Sequence, residues 1–305
     1  MKILVVGATG VIGRRVVPLL VGAGHEVTAF VRRKPDVPFA GAAVVEGDLF
    51  EPSDTLSAMA GQNAVINLAT AMPAASWTMP FRRAWRMNDR IRSRGVANLV
   101  RSALLCGVDT FIQESFAFAY PDCGADWISE ENSLTPSRYN QTLLDAERSV
   151  ARFRSSGGRG IVLRFAAFYG PDAMQTREMI GWVRHGLAPI AGRRQAFISS
   201  VSHDDAAAAV AAALHVPAGV YNVGDDEPIT HAAFFNSLAQ AIGASPPKLL
   251  PDWSKYLFGS VGEAMARSIR LSSAKLRIES GWHPSWPCVT DAWPGLVEAL
   301  GSRNC

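Results

Sequence analysis

Three glycines spaced three residues apart, Gly7, Gly10 and Gly13, follow an apolar run at the start of the chain. The run predicts a buried strand over residues 2–7, and the apolar spacing after it predicts a helix over residues 11–24. In that setting the glycines allow a tight turn, the approach of a pyrophosphate and close packing of the helix on the strand. The helix N-terminus offers free N–H groups to the phosphates. We predict that the dinucleotide contacts in this loop are Gly7, Thr9, Gly10, Val11, Ile12 and Gly13.

The end of the second predicted strand, residues 25–32, is the place where such sites choose their cofactor. A carboxylate there would bind the ribose 2′-hydroxyl, but the chain has Arg32 and Arg33. A guanidinium group suits a 2′-phosphate. We therefore expect NADP(H) rather than NADH. The alternative is that both arginines are solvated loop residues.

Composition excludes several classes of protein. The chain has 305 residues, 48% hydrophobic and 19% charged, which is typical of a globular protein. Its net charge of +3 is too small to argue for a nucleic-acid partner. No segment approaches the roughly 18 uninterrupted apolar residues of a membrane span, and glycines break the apolar N-terminus, so no signal peptide is expected. A cytoplasmic protein is the simplest expectation.

Cysteine and histidine spacing gives no sign of a metal site. The four cysteines are Cys106, Cys123, Cys288 and Cys305. None forms a C-x-x-C pair, so reduced thiols are expected rather than disulfides or zinc. The "HDD" run at residues 203–205 is interpreted as the start of a helix. We predict no metal.

Strands and helices alternate along the first half of the chain. Further strands are predicted at residues 42–49, 63–70, 109–115 and within 158–171, and helices at residues 53–61, 88–107 and 140–155. This alternation predicts an α/β fold, a Rossmann-type doubly wound parallel sheet. A nucleotide-binding domain would span residues 1–170, and the chain would return to it at about residues 200–224. Residues 171–199 and 225–305 would form a smaller C-terminal substrate or lid region.

Several short motifs together carry a resemblance to a known family. They are "GATGVIG" at 7–13, "GDL" at 47–49, "NLA" at 67–69, "LRFAAFYGP" at 163–171, "SHDDAAAAV" at 202–210, "YNVGDDEPIT" at 221–230 and "RLSSAKLRIESGWHPS" at 270–285. With them the chain resembles the short-chain dehydrogenase/reductase superfamily, in its extended or atypical epimerase/dehydratase branch. The resemblance implies a homodimer through helices 88–107 and 140–155. It also implies cofactor contacts from Asp48, Leu49, Leu68, Ala69 and Asn88, the last near the nicotinamide.

The family's catalytic Tyr-x-x-x-Lys falls in "SRYNQTLLDAE". Tyr139 matches the tyrosine and Glu147 matches a common later position, but Leu143 occupies the lysine position. In the family the lysine lowers the pKa of the phenol and holds the nicotinamide ribose. If both residues lie on one helix, Leu143 points where the lysine would, because positions four apart share a face. Leucine can do neither task, so Tyr139 is expected to be a poor base and to serve as a proton donor or oxygen-binding group.

Two further side chains are candidates for catalysis. The family places Ser or Thr near the end of the fifth strand, and Ser115 is available, although counting back from Tyr120 puts Phe116 in the strict position. Glu114 beside it is a carboxylate at the carboxyl end of a strand, where α/β sites assemble. It would act as an acid or base, or it would pair with a nearby arginine.

The segment 71–88 is rich in Met, Trp, Phe and Arg and follows the fourth strand. Trp77, Phe81 and Trp85 recur every four residues, so on a helix they form one stripe. A stripe packed into the core or a dimer face is one interpretation. The other is a pocket for a bulky, partly apolar substrate with a polar or anionic group near Arg82 or Arg86. The predicted substrate contacts are Met72, Trp77, Phe81, Arg82, Trp85, Met174 and Trp182.

Three functions remain open at this point. The first is an atypical NADP(H)-dependent oxidoreductase or epimerase acting on a small molecule. The second is a redox-neutral isomerase, cyclase or lyase on the same scaffold, in which NADP is structural or absent. The third is a non-catalytic NADP-binding regulator. The fold alone does not choose among them.

Overall fold

Fifteen strands occur in the computed structural model, which describes residues 1–73 and 75–301. They are β1 (Lys2–Val6), β2 (Glu26–Val31), β3 (Ala42–Glu46), β4 (Ala64–Asn67), β5 (Thr110–Phe116), β6 (Trp127–Ile128), β7 (Arg159–Phe165), β8 (Ala167–Tyr169), β9 (Leu187–Ala191), β10 (Phe197–Ile198), β11 (Ser200–Ser202), β12 (Gly219–Val223), β13 (Ile229–Thr230), β14 (Lys248–Leu250) and β15 (Arg270–Leu271). Cys305 lies outside the described residues.

The described residues form eleven α-helices. They are α1 (Gly13–Gly22), α2 (Pro52–Met59), α3 (Arg82–Arg90), α4 (Val96–Leu105), α5 (Leu143–Ser155), α6 (Met174–Arg184), α7 (His203–Ala212), α8 (His231–Ala241), α9 (Gly259–Met265), α10 (Ala274–Ser280) and α11 (Val289–Gly301). None of the helices in these ranges is long and apolar enough to cross a membrane.

Seven parallel strands make the central sheet, in the order β12-β7-β5-β4-β1-β2-β3. The doubly wound Rossmann-type sheet is therefore confirmed. The strand order reverses between β1 and β4, where Val6 at the end of β1 lies beside Phe30 of β2 and Asn67 of β4. In open α/β sheets, ligands bind outside the carboxyl ends of the strands at such a reversal. The candidate site is expected there.

Apolar side chains cover both faces of this sheet. On one face Val16, Val17 and Leu20 of α1 pack against β1 and β2 in a buried cluster that also includes α7. On the other face Leu99 of α4 and Phe153 of α5 belong to a second buried cluster. Strands that are buried on both faces read as continuous apolar runs, which is why the sequence pattern was informative here.

Several helix boundaries differ from prediction, and the two largest differences lie next to the candidate site. The predicted helix 88–107 is one continuous rod that begins earlier, at Arg82, and includes a π-helical turn at Ile91–Gly95. The helix predicted over residues 140–155 begins at Leu143, because residues 138–142 form turns. A wider π-turn interrupts the regular helical spacing and is often found at functional sites.

Candidate active site

The glycine loop between β1 and α1 forms a cradle that a larger side chain would fill. Gly7 has φ +83°, and a Cβ there would lie 2.6 Å from the backbone carbon of Leu68. A Cβ at Gly13 would overlap the Gly7 carbonyl oxygen, so this glycine is what lets α1 pack on the strand end. Gly10 is exposed, and its amide donates to the Gly7 carbonyl at 3.0 Å. The loop is therefore closely packed at Gly7 and Gly13 and exposed to solvent at Gly10.

The N-terminus of α1 has no side-chain cap within the described structure. Thr9 and Val11 are exposed on the open side of the loop, and Ile12 is half-buried. Arg15 braces the loop from behind, since its Nη1 donates to the Val11 carbonyl at 2.9 Å and pairs with Asp172 at 2.8 Å. An uncapped helix end behind a glycine cradle is suited to phosphate oxygens.

Arg32 and Arg33 follow the last residue of β2 directly, and both are exposed. Neither forms an ion pair or a side-chain hydrogen bond anywhere in the part of the chain that the structure describes. Two free guanidinium groups thus lie at the carboxyl end of the strand beside β1. Their chemistry suits a phosphate monoester.

Asp48, Leu49, Leu68 and Ala69 line the same edge of the sheet. The Asp48 carboxylate accepts from the Phe50 amide at 2.9 Å, and Leu49 is buried against Gly95 of the π-turn. A Cβ at Gly95 would lie 2.6 Å from Leu49. The turn after β3 is therefore fixed by the helix that follows β4.

Asn88 of α3 reaches the segment that leaves β4. It is fully buried, and its side-chain oxygen accepts from the Ala71 amide at 3.1 Å. Its side-chain nitrogen has no hydrogen-bond partner among the described residues. Buried amide groups without partners are uncommon in folded proteins. The nitrogen is therefore available to a bound molecule.

Tyr139 lies in the turns before α5, so the expectation that it shares a helix face with Leu143 is not met. Its ring packs on Trp85 with centroids 4.8 Å apart, and only 7% of the residue is exposed. Burial raises the pKa of Tyr139 to about 12, although Arg92, Arg267 and Asn140 oppose that shift. The phenol therefore stays protonated near neutral pH.

Leu143, in the position of the family lysine, is 1% exposed and is the first residue of α5. A buried apolar side chain supplies no charge to the phenol and no hydrogen bond to a sugar. The cations that act to lower the pKa of Tyr139 are Arg92 of the π-turn and Arg267, which follows α9.

Ser115 points its hydroxyl into a buried polar network. It donates to Glu147 Oε1 at 2.6 Å, and Arg164 holds both oxygens of the same carboxylate at 3.0 and 2.7 Å. Arg164 also donates to the Tyr120 hydroxyl, which in turn donates to Asn222. Desolvation acts against the charge of Arg164, but its contacts with Glu147 raise the pKa overall. The network ties β5, β7, β12 and α5 together.

Glu114 forms an ion pair with Arg92 of the π-turn. The carboxylate lies 3.2 Å from Arg92 Nη2, and both side chains are at least nine-tenths buried. Of the two roles considered from sequence, acid–base chemistry or pairing with an arginine, this geometry corresponds to the second. Arg92, Arg164 and Asn140 carry no distinguishing sequence spacing, and only the fold brings them to the site.

The aromatic stripe predicted for Trp77, Phe81 and Trp85 does not exist. Trp77 belongs to a separate 3-10 turn, Ser76–Thr78, and Phe81 precedes α3, so the three residues do not share one helix. Trp77 is 74% exposed and Phe81 60%, whereas Trp85 is buried and its indole N–H donates to the Met79 carbonyl at 2.7 Å. Trp85 therefore packs in the core, and the other two face outward.

The segment after β4 nevertheless reaches α6, where the second predicted wall lies. The Ser76 amide and hydroxyl both donate to Glu178. Met174 and Trp182 of α6 are about half exposed, as is Met72, and Arg82 is exposed at the start of α3. These exposed aromatic and thioether side chains are available to a ligand, and only the Ser76–Glu178 contact links the two segments that carry them. The described ranges contain no cluster of three or more His, Cys, Asp or Glu residues that would hold a metal ion.

The sequence is similar to a known protein family and to individual proteins. Residues 3–224 match the NAD dependent epimerase/dehydratase family. A Streptomyces protein named 3-diazoavenalumate denitrifying reductase is 32% identical over 307 residues, which covers 94% of this chain and 98% of that protein. The family match includes the glycine loop and the region around Tyr139.

Solved structures show the same fold at lower identity. A Thermotoga maritima UDP-glucose 4-epimerase with UDP-glucose superposes with a TM-score of 0.81 at 22% identity, covering 100% of both chains. A human epimerase family protein with NADPH superposes with a TM-score of 0.79 at 20% identity, covering 98% of this chain and 99% of that one.

Proposed function

Because the chain belongs to the NAD dependent epimerase/dehydratase family, an NAD(P)-dependent oxidoreductase and epimerase family, we propose that it is an NADP(H)-dependent reductase of a bulky, partly apolar small molecule. We further propose that the substrate accepts hydride without a tyrosine–lysine pair. One observation carries this proposal: Leu143 is buried where the lysine would be, and Tyr139 is packed under Trp85.

The residues present fit the cofactor. The glycine cradle and the uncapped α1 would hold the pyrophosphate, and the unpaired Asn88 nitrogen would serve the nicotinamide end. Arg32 and Arg33, both exposed and unpaired in the described structure, support a preference for the 2′-phosphate of NADP(H). When bound, this cofactor supplies hydride.

The chain offers little proton transfer at the reacting end. Tyr139 has a pKa of about 12, Ser115 donates to Glu147, and Glu114 is paired with Arg92. Efficient acid–base catalysis needs a group whose pKa lies near the working pH. The site therefore favours an electrophilic carbon that needs no proton from the protein when it accepts hydride.

A diazonium carbon is an electrophile of this kind. The name of the Streptomyces relative specifies a diazo compound and the loss of its nitrogen. On such a carbon, a C–H bond forms with the hydride electron pair as the C–N bond breaks and its pair leaves with dinitrogen. Atoms and charge balance without a protein acid. We propose an aryl diazo compound as the substrate class, with the exposed Trp77, Phe81 and Trp182 as the aromatic rim that receives the ring.

We assign the two regions of the chain to the two ligands. Residues 1–170, with the return at residues 200–224, would bind the nucleotide, since β12 completes the central sheet and α7 packs on α1. Residues 171–199 and 225–301 would form the substrate side. The Ser76–Glu178 contact supports a shared cleft between them.

The test is isotope transfer. The purified protein is incubated with NADPH deuterated at the transferable position and either an aryl diazonium compound or a ketone with the same ring. We expect deuterium on the ring carbon and release of dinitrogen from the first, and no reduction of the second. Conversion of substrates with no change in nicotinamide absorbance would support the redox-neutral alternative instead.

A further inference from the structure

The side chain of Asn140 is the least explained polar group near the candidate site. It is 1% exposed, and neither its oxygen nor its nitrogen makes a hydrogen bond of standard geometry among the described residues, although it lies close enough to the Tyr139 hydroxyl to lower the pKa of that group. Each buried polar atom without a partner destabilises the fold, because it loses its hydrogen bonds to water and gains none in return. A carboxamide held in this way is expected to meet a partner in some other state of the protein.

The backbone around Asn140 is firmly held, so the unpaired side chain does not reflect a loose segment. Its amide donates to the Ser137 carbonyl at 3.0 Å, and its carbonyl accepts from the Leu143 amide at 3.1 Å. Arg267 holds the segment that precedes Asn140, since it donates to the Thr135 carbonyl at 2.9 Å and to the Ser137 hydroxyl at 3.1 Å. Asn140 thus lies one turn before the position of the missing lysine.

A second unpaired carboxamide nitrogen lies on the neighbouring element. Asn88 is fully buried and contacts the end of the β4 segment through Ala71. The two segments are joined nearby, where the hydroxyl of Thr142, two residues after Asn140, donates to Asp89, the residue after Asn88, at 2.8 Å. The turns before α5 and the helix α3 are therefore held together close to both carboxamides.

We propose that Asn140, together with Asn88, binds the ribose hydroxyls at the nicotinamide end of NADP(H), and so takes over the sugar-holding task that Leu143 cannot perform. The inference rests on the proposed cofactor. A carboxamide offers two donors and an acceptor, and a ribose diol offers the complementary set. Asn140 acts here as a positioning residue for the cofactor.

The Trp85–Tyr139 contact covers this group. The two rings lie 4.8 Å apart, and Asn140 lies close enough to the Tyr139 hydroxyl to favour its ionised form, although burial outweighs that effect on the pKa. Because Asn140 is 1% exposed, a ligand reaches its side chain only when the residues around it move, and binding would then supply hydrogen bonds that the carboxamide lacks.

The experiment compares two ligands in three proteins. NADPH is titrated by its fluorescence, and 2′,5′-ADP, which lacks the nicotinamide half, by displacement of NADPH. The proteins are the wild type, Asn140→Leu and Gln62→Leu. Gln62 is the matched control, because its side-chain oxygen is also buried without a partner but lies before β4, at the opposite edge of the sheet.

We expect Asn140→Leu to weaken NADPH binding roughly tenfold, the value of one or two hydrogen bonds, and to leave 2′,5′-ADP unchanged. Gln62→Leu changes neither. Unchanged NADPH affinity together with a raised melting temperature in Asn140→Leu would overturn the inference, because the leucine then only relieves a buried amide. If the wild type binds neither NADPH nor NADH, the proposed function fails instead. If Asn140→Leu also binds 2′,5′-ADP more weakly, the Asn140→Ser variant is titrated instead. We expect it to bind NADPH more weakly than the wild type and 2′,5′-ADP equally well.

Discussion

The two ends of the cleft along the carboxyl edge of the sheet differ in how closely they follow the family pattern. The proposed phosphate end, which comprises the loop Gly7–Gly13 and Arg32, has all three glycines, a helix α1 without a side-chain cap and, among the described residues, an unpaired Arg32 guanidinium. The chemistry end, which comprises Glu114, Ser115, Tyr139 and Leu143, has lost its lysine and has its remaining polar groups occupied or buried. The features suited to cofactor binding are thus present where those suited to proton transfer are not.

This difference indicates what kind of reaction the chain can serve. The close packing at Gly7 and Gly13, which only glycine permits, forms the cradle that a pyrophosphate would need. A protein that still moved protons through Tyr139 would not bury it beside a leucine. Hydride delivery to a reactive electrophile needs a bound and positioned cofactor but no proton transfer from the protein, since positioning supplies much of the rate.

The largest expected effect comes from filling the cradle. Gly13→Ala places a methyl group against the Gly7 carbonyl, which displaces the loop and should weaken NADPH binding roughly a thousandfold, or about 4 kcal/mol. Gly22→Ala is the matched control, because a Cβ there meets nothing within 4 Å and should leave binding unchanged. Fluorescence titration measures both. NADPH binding by Gly13→Ala at wild-type strength would show that the loop holds no pyrophosphate.

Breaking the buried pair at the chemistry end is expected to cost stability rather than to alter a reaction step. Glu114→Gln leaves Arg92 charged and buried without a counter-ion, so unfolding in urea should become easier by about 3 kcal/mol. The control is Asp145→Asn, which breaks an exposed pair with Arg148 and should cost less than about 1 kcal/mol. Equal losses in the two variants would mean that the Glu114 pair is not structural.

Local spacing explains why the phosphate end was predictable from sequence and the chemistry end was not. Gly7, Gly10 and Gly13 lie in one short loop, so their spacing can be interpreted from the sequence alone. The partners of Glu114 and Ser115 are Arg92 and Glu147, which are 22 and 32 residues away. The turns that hold Tyr139 outside α5, and the break in the aromatic stripe, also depend on contacts with Trp85 and α6 that periodicity does not report.

A pH measurement tests the bracing behind the phosphate end. Burial lowers the pKa of His203 to about 4, while the hydrogen bond from Arg15 lowers the pKa of neighbouring Asp172 to about 2, so Asp172 stays ionised. Between pH 6.5 and 4 the unfolded chain binds a proton at His203 that the folded chain does not. Stability from neutral His203 is therefore complete above pH 6.5 and is lost as the pH falls, by about 2 kcal/mol over this window.

Comparison with His203→Gln isolates this contribution. Buried His231, with a pKa of about 4, and Asp225, whose pKa burial raises to about 7, titrate in both proteins and cancel in the difference. The stability advantage of the wild type, measured by urea unfolding, should shrink steadily from pH 6.5 to 4.5. A difference that does not change with pH would mean that His203 is as easily protonated in the folded protein as in the unfolded one.

Cofactor choice is a smaller effect at the phosphate end. Replacing Arg32 and Arg33 by alanine removes the free guanidiniums and should weaken NADPH roughly tenfold while leaving NADH unchanged. Lys34→Ala, at the next exposed position, controls for general loss of positive charge. A parallel loss for NADPH and NADH would indicate that the arginines contact the shared part of the cofactor, and the preference for NADP(H) would be withdrawn.

The smallest expected effect is the most informative about the chemistry end. Tyr139→Phe keeps the ring packed on Trp85 and removes only a hydroxyl whose pKa is about 12. Where a tyrosine acts as the acid, its loss costs roughly 100-fold or more in rate. Here the rate of deuterium transfer from NADPH to the diazonium substrate should change less than about threefold, with a flat pH profile between pH 6 and 9 in both proteins. A 100-fold loss would restore Tyr139 to acid catalysis and remove the difference between the two ends of the cleft.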